Sequence, residues 1–203
     1  QLYIKESPRP RAFLWDVLGR PPAVVLTSSL VDLLTPAEIQ TAIAAQMALL
    51  GNPAMRHYAM AAAVADWRPR LGVLDASAAP GVRHALERWA RFAALTGDRG
   101  ALVVAQNVGT VAGAAIKIAA GSHTLTNELN VGALLEQARA MDAAAGAQLG
   151  RLLEPDGVGT LAHSTVILRA RELDRWAQSE QLQSLLDGGE RYVRSARFIS
   201  AGT

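Results

Sequence analysis

The stretch Thr35-Pro36-Ala37-Glu38-Ile39-Gln40-Thr41-Ala42-Ile43-Ala44-Ala45-Gln46-Met47-Ala48-Leu49-Leu50 decides how the chain is read. Thr35 is a natural N-cap. Pro36 suits the first helical position, because the N–H it lacks would find no intrahelical partner there. Good helix formers follow without interruption, and Gly51-Asn52-Pro53 supplies a stop. A helix therefore opens at Pro36 and closes at Leu50, with Ser28 and Ser29 introducing a shorter one over Leu30, Val31, Leu33 and Leu34.

Upstream, Leu2-Tyr3-Ile4-Lys5, Ala12-Phe13-Leu14-Trp15 and Pro22-Ala23-Val24-Val25-Leu26-Thr27 read as short strands separated by Pro and Gly, and predict a small N-terminal meander. Downstream, helical periodicity recurs around 54–66, 80–96, 98–106, 108–119, 128–148 and 166–187. The expected class is α+β, mostly helical, with one small sheet. No linker, repeat or low-complexity stretch divides residues 1–203, so a single domain is expected.

Composition narrows the chemistry. A chain of 203 residues, half of them hydrophobic, should bury roughly 70% of the surface its unfolded form exposes, enough for a core without staples. With no cysteine, disulfides, thiolate zinc sites, iron–sulfur clusters and cysteine nucleophiles are excluded. Alanine supplies 39 residues, which favours helices in close contact. Only Lys5 and Lys117 are lysines and the arginines are scattered, so no basic stripe tracks a phosphate backbone and nucleic acid is not the expected partner. The longest uncharged runs, 39–55 and 101–116, fall short of the ~20 apolar residues a bilayer crossing needs, which leaves peripheral membrane contact. The first residue is Gln1, which leaves room for a targeting or anchoring segment ahead of it.

Further landmarks follow one another in order. Ser7-Pro8-Arg9-Pro10-Arg11-Ala12-Phe13 is followed by the strand and helix of Pro22 to Leu34, and then by the Pro-x-Glu helix. Then come 89–102, with Ala94-Leu95-Thr96-Gly97-Asp98-Arg99 at its centre, and His163-Ser164-Thr165 running into Arg169-Ala170-Arg171-Glu172. Together they resemble zinc metallopeptidases of the HtpX and CAAX prenyl protease type, gluzincins, and among them the cyanobacterial and plastid branch. The resemblance spans nearly the whole chain and implies a zincin-like domain.

In that family two histidines at i and i+4 grip one zinc ion from one helix face, and a Glu beside the first is the general base. The resemblance puts these positions at Ala45, Gln46 and Leu49, and a third ligand at Ala94. Ala and Leu carry no lone pair, and the Gln46 amide cannot take a proton near neutral pH. Zinc hydrolysis is therefore not expected, and no cofactor is implied. The resemblance further makes Asp98 a residue that would orient a zinc-ligating histidine. With that histidine gone, Asp98 and Arg99 are expected to serve packing, capping or an ion pair. His163 falls at a cleft-lining histidine, with Ser164 where the family has proline.

Other chemistry finds no pattern. His57, His84, His123 and His163 have no helical spacing between any two of them. No Gly-x-Ser-x-Gly turn is present, and Gly157-Val158-Gly159 lacks the third glycine of a dinucleotide fingerprint. Partner-binding candidates are the aromatic–basic segment Trp67, Arg68 and Arg70, and the amphipathic helix residues Arg169, Arg171, Arg175 and Trp176. The tail adds Arg191, Tyr192 and Arg194.

These readings converge on a catalytically inactive metallopeptidase homologue, kept for its shape as a structural or assembly subunit among other protein subunits. The resemblance and the Ala- and Arg-rich composition suggest a plastid protein from a GC-rich algal nuclear genome, at a thylakoid or envelope membrane, with a mitochondrial membrane as the second choice. The rival expectation is a regulatory domain that holds a lipid tail or hydrophobic peptide in an apolar groove left by Ala45, Leu49 and Ala94.

Overall fold

The structure, a computed structural model, describes residues 1–15, 21–51, 80–140 and 161–188, with the backbone alone at 80–91, 127 and 161–165. The strands β1 (Leu2–Lys5), β2 (Ala12–Trp15) and β3 (Ala23–Thr27) form one sheet in the order β1-β3-β2. β1 runs parallel to β3 and β2 antiparallel to it. The strands lie where the sequence predicts them, but the meander is corrected, because β3 and not β2 is central. The reason is chemical. β3 is buried at every position, so flanking it with two strands shields the most apolar segment. Pro8 and Pro10 also deny the β1–β2 connection the N–H groups that hairpin pairing would use.

The helices α1 (Ser28–Leu33) and α2 (Pro36–Leu50) follow directly. Val24 and Leu26 of β3 pack with Leu30, Leu33, Leu34 and Ala42, and Ala12, Leu14, Ile39 and Ile43 close over them. α2 starts with a capping box: the Glu38 N–H donates to Thr35 Oγ1 at 3.4 Å, and the Thr35 N–H donates to Glu38 Oε2 at 2.9 Å. It ends at Gly51.

Helix α3 runs unbroken through Pro80–Ala105, where the sequence predicts two helices. Gly97 and Gly100 therefore do not interrupt it; they lie against α2. α4 (Val108–Ala120) is capped by Asn107, whose side chain accepts from the Thr110 N–H at 3.0 Å, and closes at Gly121 with φ of 65°. α5 (His123–Glu128), α6 (Val131–Ala140) and α7 (Leu161–Ala177) follow, and a turn at 178–179 separates α7 from a last helix, α8, over 180–188. The amphipathic stretch expected as one helix is thus two. Leu168, Leu173, Trp176 and Leu182 are buried on it, whereas Leu185 is exposed.

Two further clusters join the helices. Ala101, Leu102 and Val111 surround Leu173, Trp176 and Leu182, and Ala112 meets Leu134, Ala138, Val166 and Ala170. No helix of the described residues is long and apolar enough to cross a membrane.

Candidate functional site

The positions where the resemblance expects zinc chemistry fall at the crossing of α2 and α3. A Cβ on Gly97 would lie 3.3 Å from the Ala45 carbonyl oxygen and 3.4 Å from the Ala45 Cβ, and one on Gly100 would collide with the Ala48 Cβ. The two backbones approach as closely as glycine permits. Ala45 also packs against the cluster around Leu102 and Trp176. Gln46, Leu49 and Ala94 are half-buried.

The donor set at this crossing does not fit a zinc ion. Ala45, Leu49 and Ala94 end in methyl groups, so the coordination that a catalytic zinc requires has no atoms to form it. Among the described residues no three His, Asp or Glu side chains converge as metal ligands. His163 belongs to α7, but its side chain lies outside the described residues.

Asp98 lies one residue beyond Gly97, is buried, and faces Arg169 of α7. Arg169 Nε and Nη2 donate to its two oxygens at 2.8 and 2.7 Å, a fork-to-fork pair. Burial by itself would lower the Arg169 pKa; the hydrogen bonds and charge of Asp98 outweigh it and raise the pKa above its usual value. Next along α3, the Arg99 guanidinium sits 5.6 Å from the centre of the Trp176 ring. Two consecutive α3 residues thus hold α7, one by ion pairing and one over an aromatic face.

Helix α7 offers less surface than its sequence suggests. Trp176 and Arg171 are buried, at 7% and 2% exposure, so neither side chain stands on the outside of this chain. Arg171 lies 2.8 Å from Glu172, and Arg169 is engaged by Asp98. Arg175 is the outward member, 54% exposed and 3.5 Å from Glu172. Trp67, Arg68, Arg70, Arg191, Tyr192 and Arg194 lie outside the described residues.

Two ion pairs escaped the sequence reading. Lys117 of α4 donates to Glu38 Oε2 at 2.9 Å and lies 2.8 Å from Oε1. Gly113 makes room, since a Cβ there would come within 3.3 Å of Glu38 Oε1. Burial pushes the Glu38 pKa up, but Lys117 and the Thr35 backbone and hydroxyl outweigh it, and the net shift is downward. Arg139 of α6 grips Asp174 of α7 through two hydrogen bonds of 2.8 Å, which lower the Asp174 pKa against the opposing effect of burial. A lone lysine within Val108-Gly109-Thr110-Val111-Ala112-Gly113-Ala114-Ala115-Ile116-Lys117 was the available signal for the first pair.

A shallow apolar groove of about 460 Å³ runs beside the crossing, lined among others by Ile43, Ala44, Met47, Ala48, Gly100 and Val103. Ala45, Leu49 and Ala94 do not line it. The groove expected at Ala45, Leu49 and Ala94 is therefore not this one.

No family model matches the chain, and no solved structure matches it. The chain is, however, similar to a protein described as a metallopeptidase. That relative is the plastoglobule-localized metallopeptidase 48, chloroplastic, of Arabidopsis thaliana, 36% identical over 196 residues. The match takes in 94% of this chain and 55% of the relative, so the chain spans about half the length of the protein it matches.

Proposed function

We propose that this chain is a catalytically inactive metallopeptidase homologue that serves as a structural or assembly subunit of a larger, membrane-associated chloroplast complex. The observation that carries the reading is the α2–α3 crossing. Methyl groups stand at all three positions that the resemblance assigns to metal ligands, while a close-packed helical frame surrounds them. A site that has lost its donors and kept its scaffold retains shape as its usable property. The relative named as plastoglobule-localized supports the chloroplast setting, and attachment to a thylakoid or envelope is the finer part of the proposal.

The test is the native size and composition of the species that contains the chain, by gentle solubilisation, affinity capture and mass spectrometry. Co-migration with one stoichiometric assembly is expected. Stoichiometric zinc, together with peptide cleavage that Gln46→Ala abolishes, would overturn the reading.

The groove lined by Ile43, Met47 and Val103 favours a second reading, a regulatory domain for an apolar ligand. A free monomer whose melting temperature rises with a long-chain fatty acid, and no longer does so in Ala44→Phe, would support it over the subunit role.

A further inference from the structure

The two outer strands of the small sheet, β1 and β2, expose large apolar side chains. Register sets Tyr3 and Phe13 on either side of Val25, Trp15 beside Ala23, and Lys5 beside Thr27. Val24 and Leu26 enter the core with Ala12 and Leu14, so strand alternation puts Tyr3, Lys5, Phe13 and Trp15 on the opposite face. Tyr3 and Trp15 are 53% and 52% exposed there. Leu2 and Ile4 point toward the core side, yet at the edge of the sheet they are 53% and 66% exposed. Strand β1 is therefore apolar and uncovered on both faces at once.

Cations gather at one end of this edge. Lys5 ends β1, and Arg9 and Arg11 follow in the connection to β2, all exposed, against a single acid, Glu6. The connection is pinned in place. The Arg11 N–H donates to Thr27 Oγ1 at 2.9 Å, and the Ser7 N–H donates to Ser28 Oγ at 3.2 Å.

We propose that β1, with Trp15 of β2 and the cations Lys5, Arg9 and Arg11, is a shallow contact with an anionic lipid surface. The proposal rests on the membrane-associated reading above and names the surface and the lipid charge. Tyr and Trp combine an apolar ring with a polar tip and settle at the headgroup level, aliphatic neighbours enter the acyl boundary, and Lys and Arg draw anionic headgroups. The exposed cations Lys5, Arg9 and Arg11, beside exposed rings and aliphatic side chains, complement an anionic headgroup layer over an acyl boundary. Three cations around an acid are too few to track a nucleic-acid backbone.

The experiment is flotation of the chain with phosphatidylcholine vesicles with and without phosphatidylglycerol. Binding to the phosphatidylglycerol vesicles is expected, falling about 10-fold or more in Tyr3→Ser/Ile4→Ser/Trp15→Ser. Lys5→Gln/Arg9→Gln/Arg11→Gln should remove the dependence on phosphatidylglycerol, and Leu125→Ser/Leu185→Ser, at exposed apolar positions elsewhere, should change nothing. Because the chain has no cysteine, Ile4→Cys carrying a polarity-sensitive fluorophore reports the contact even if the triple serine variant does not fold. Its emission should shift to the blue on adding vesicles, and that of a labelled Leu185→Cys should not. No binding by the unaltered chain overturns both this proposal and the membrane-associated reading. Binding that the sheet variants leave intact, or a blue shift of Ile4→Cys driven by protein concentration alone, overturns the surface assignment only.

Discussion

Asp98 and Arg169 meet across α3 and α7 in a two-point ion pair, 71 residues apart in sequence, with hydrogen bonds of 2.7 and 2.8 Å. Asp98 is 5% exposed, and the Arg169 side chain keeps 30% of its surface in water. Removing the carboxylate leaves a guanidinium in a place shaped for a pair. Asp98→Ala is expected to cost about 3 kcal/mol, the low end for breaking a buried pair, because Arg169 retains some hydration. Replacing both, as Asp98→Leu/Arg169→Met, removes the unpaired charge with its partner and should cost less than Asp98→Ala alone. Chemical denaturation of the single and double variants checks the order.

The α2–α3 crossing predicts a different pattern. A methyl on Gly100 meets the Ala48 Cβ, so Gly100→Ala should destabilise by about 1–3 kcal/mol through overpacking, although alanine is the better helix former. Ala48→Gly/Gly100→Ala moves the methyl to the other helix and should recover most of that loss. A thermal melt that finds Gly100→Ala as stable as the parent would mean that the helices cross elsewhere.

How far the sequence disclosed this arrangement depends on where each signal lies. Helix α2 was legible to the residue, because Thr35, Pro36 and Gly51 act locally on backbone hydrogen bonding. The strand order was not. Nothing local to β1 or β2 records that β3 is the buried centre, which is a property of what packs on it. Gly97, where the sequence predicts a break, misled for the same reason: its helical cost is local, and the helix contact that compensates it is not. At the site, Asp98 stood out but its partner did not, since Arg169 is one of 18 arginines and lies 71 residues away. Trp176 read as a surface anchor because the amphipathic pattern gives the apolar stripe without saying what covers it.

Acid should weaken the fold through Glu38 and Asp174. Both have folded-state pKa values below their ordinary ones, near 4.5 and 3.8, so the unfolded chain takes up protons first as the pH falls. Their stabilising contribution is complete above those ordinary values and is lost progressively below them, through the lowered folded values. Glu38→Gln should flatten the acid limb and, at neutral pH, cost about 1–2 kcal/mol for the charged hydrogen bond to Lys117. Urea midpoints measured across the acid range, for the parent and for Glu38→Gln, give the test. Curves of equal slope would assign the acid sensitivity to other groups.

Metal should leave stability untouched. A ligand that binds the native state alone stabilises it by about 2.7 kcal/mol at one hundred times its dissociation constant, which a thermal melt resolves easily. A zincin-type site would gain that and more, since its ligands are scattered in the unfolded chain. With methyl groups at 45 and 94 and an isobutyl group at 49, zinc has no donors at the α2–α3 crossing to couple to folding. Melting curves with added zinc and with a chelator should therefore superimpose. The decisive variant is Ala45→His/Leu49→His/Ala94→Glu, which restores the donor atoms on the same two helices. If α2 and α3 still hold these positions around one point, zinc should raise the melting temperature of this variant and leave that of the parent unchanged; a rise in the parent would mean that its metal donors lie somewhere other than the crossing.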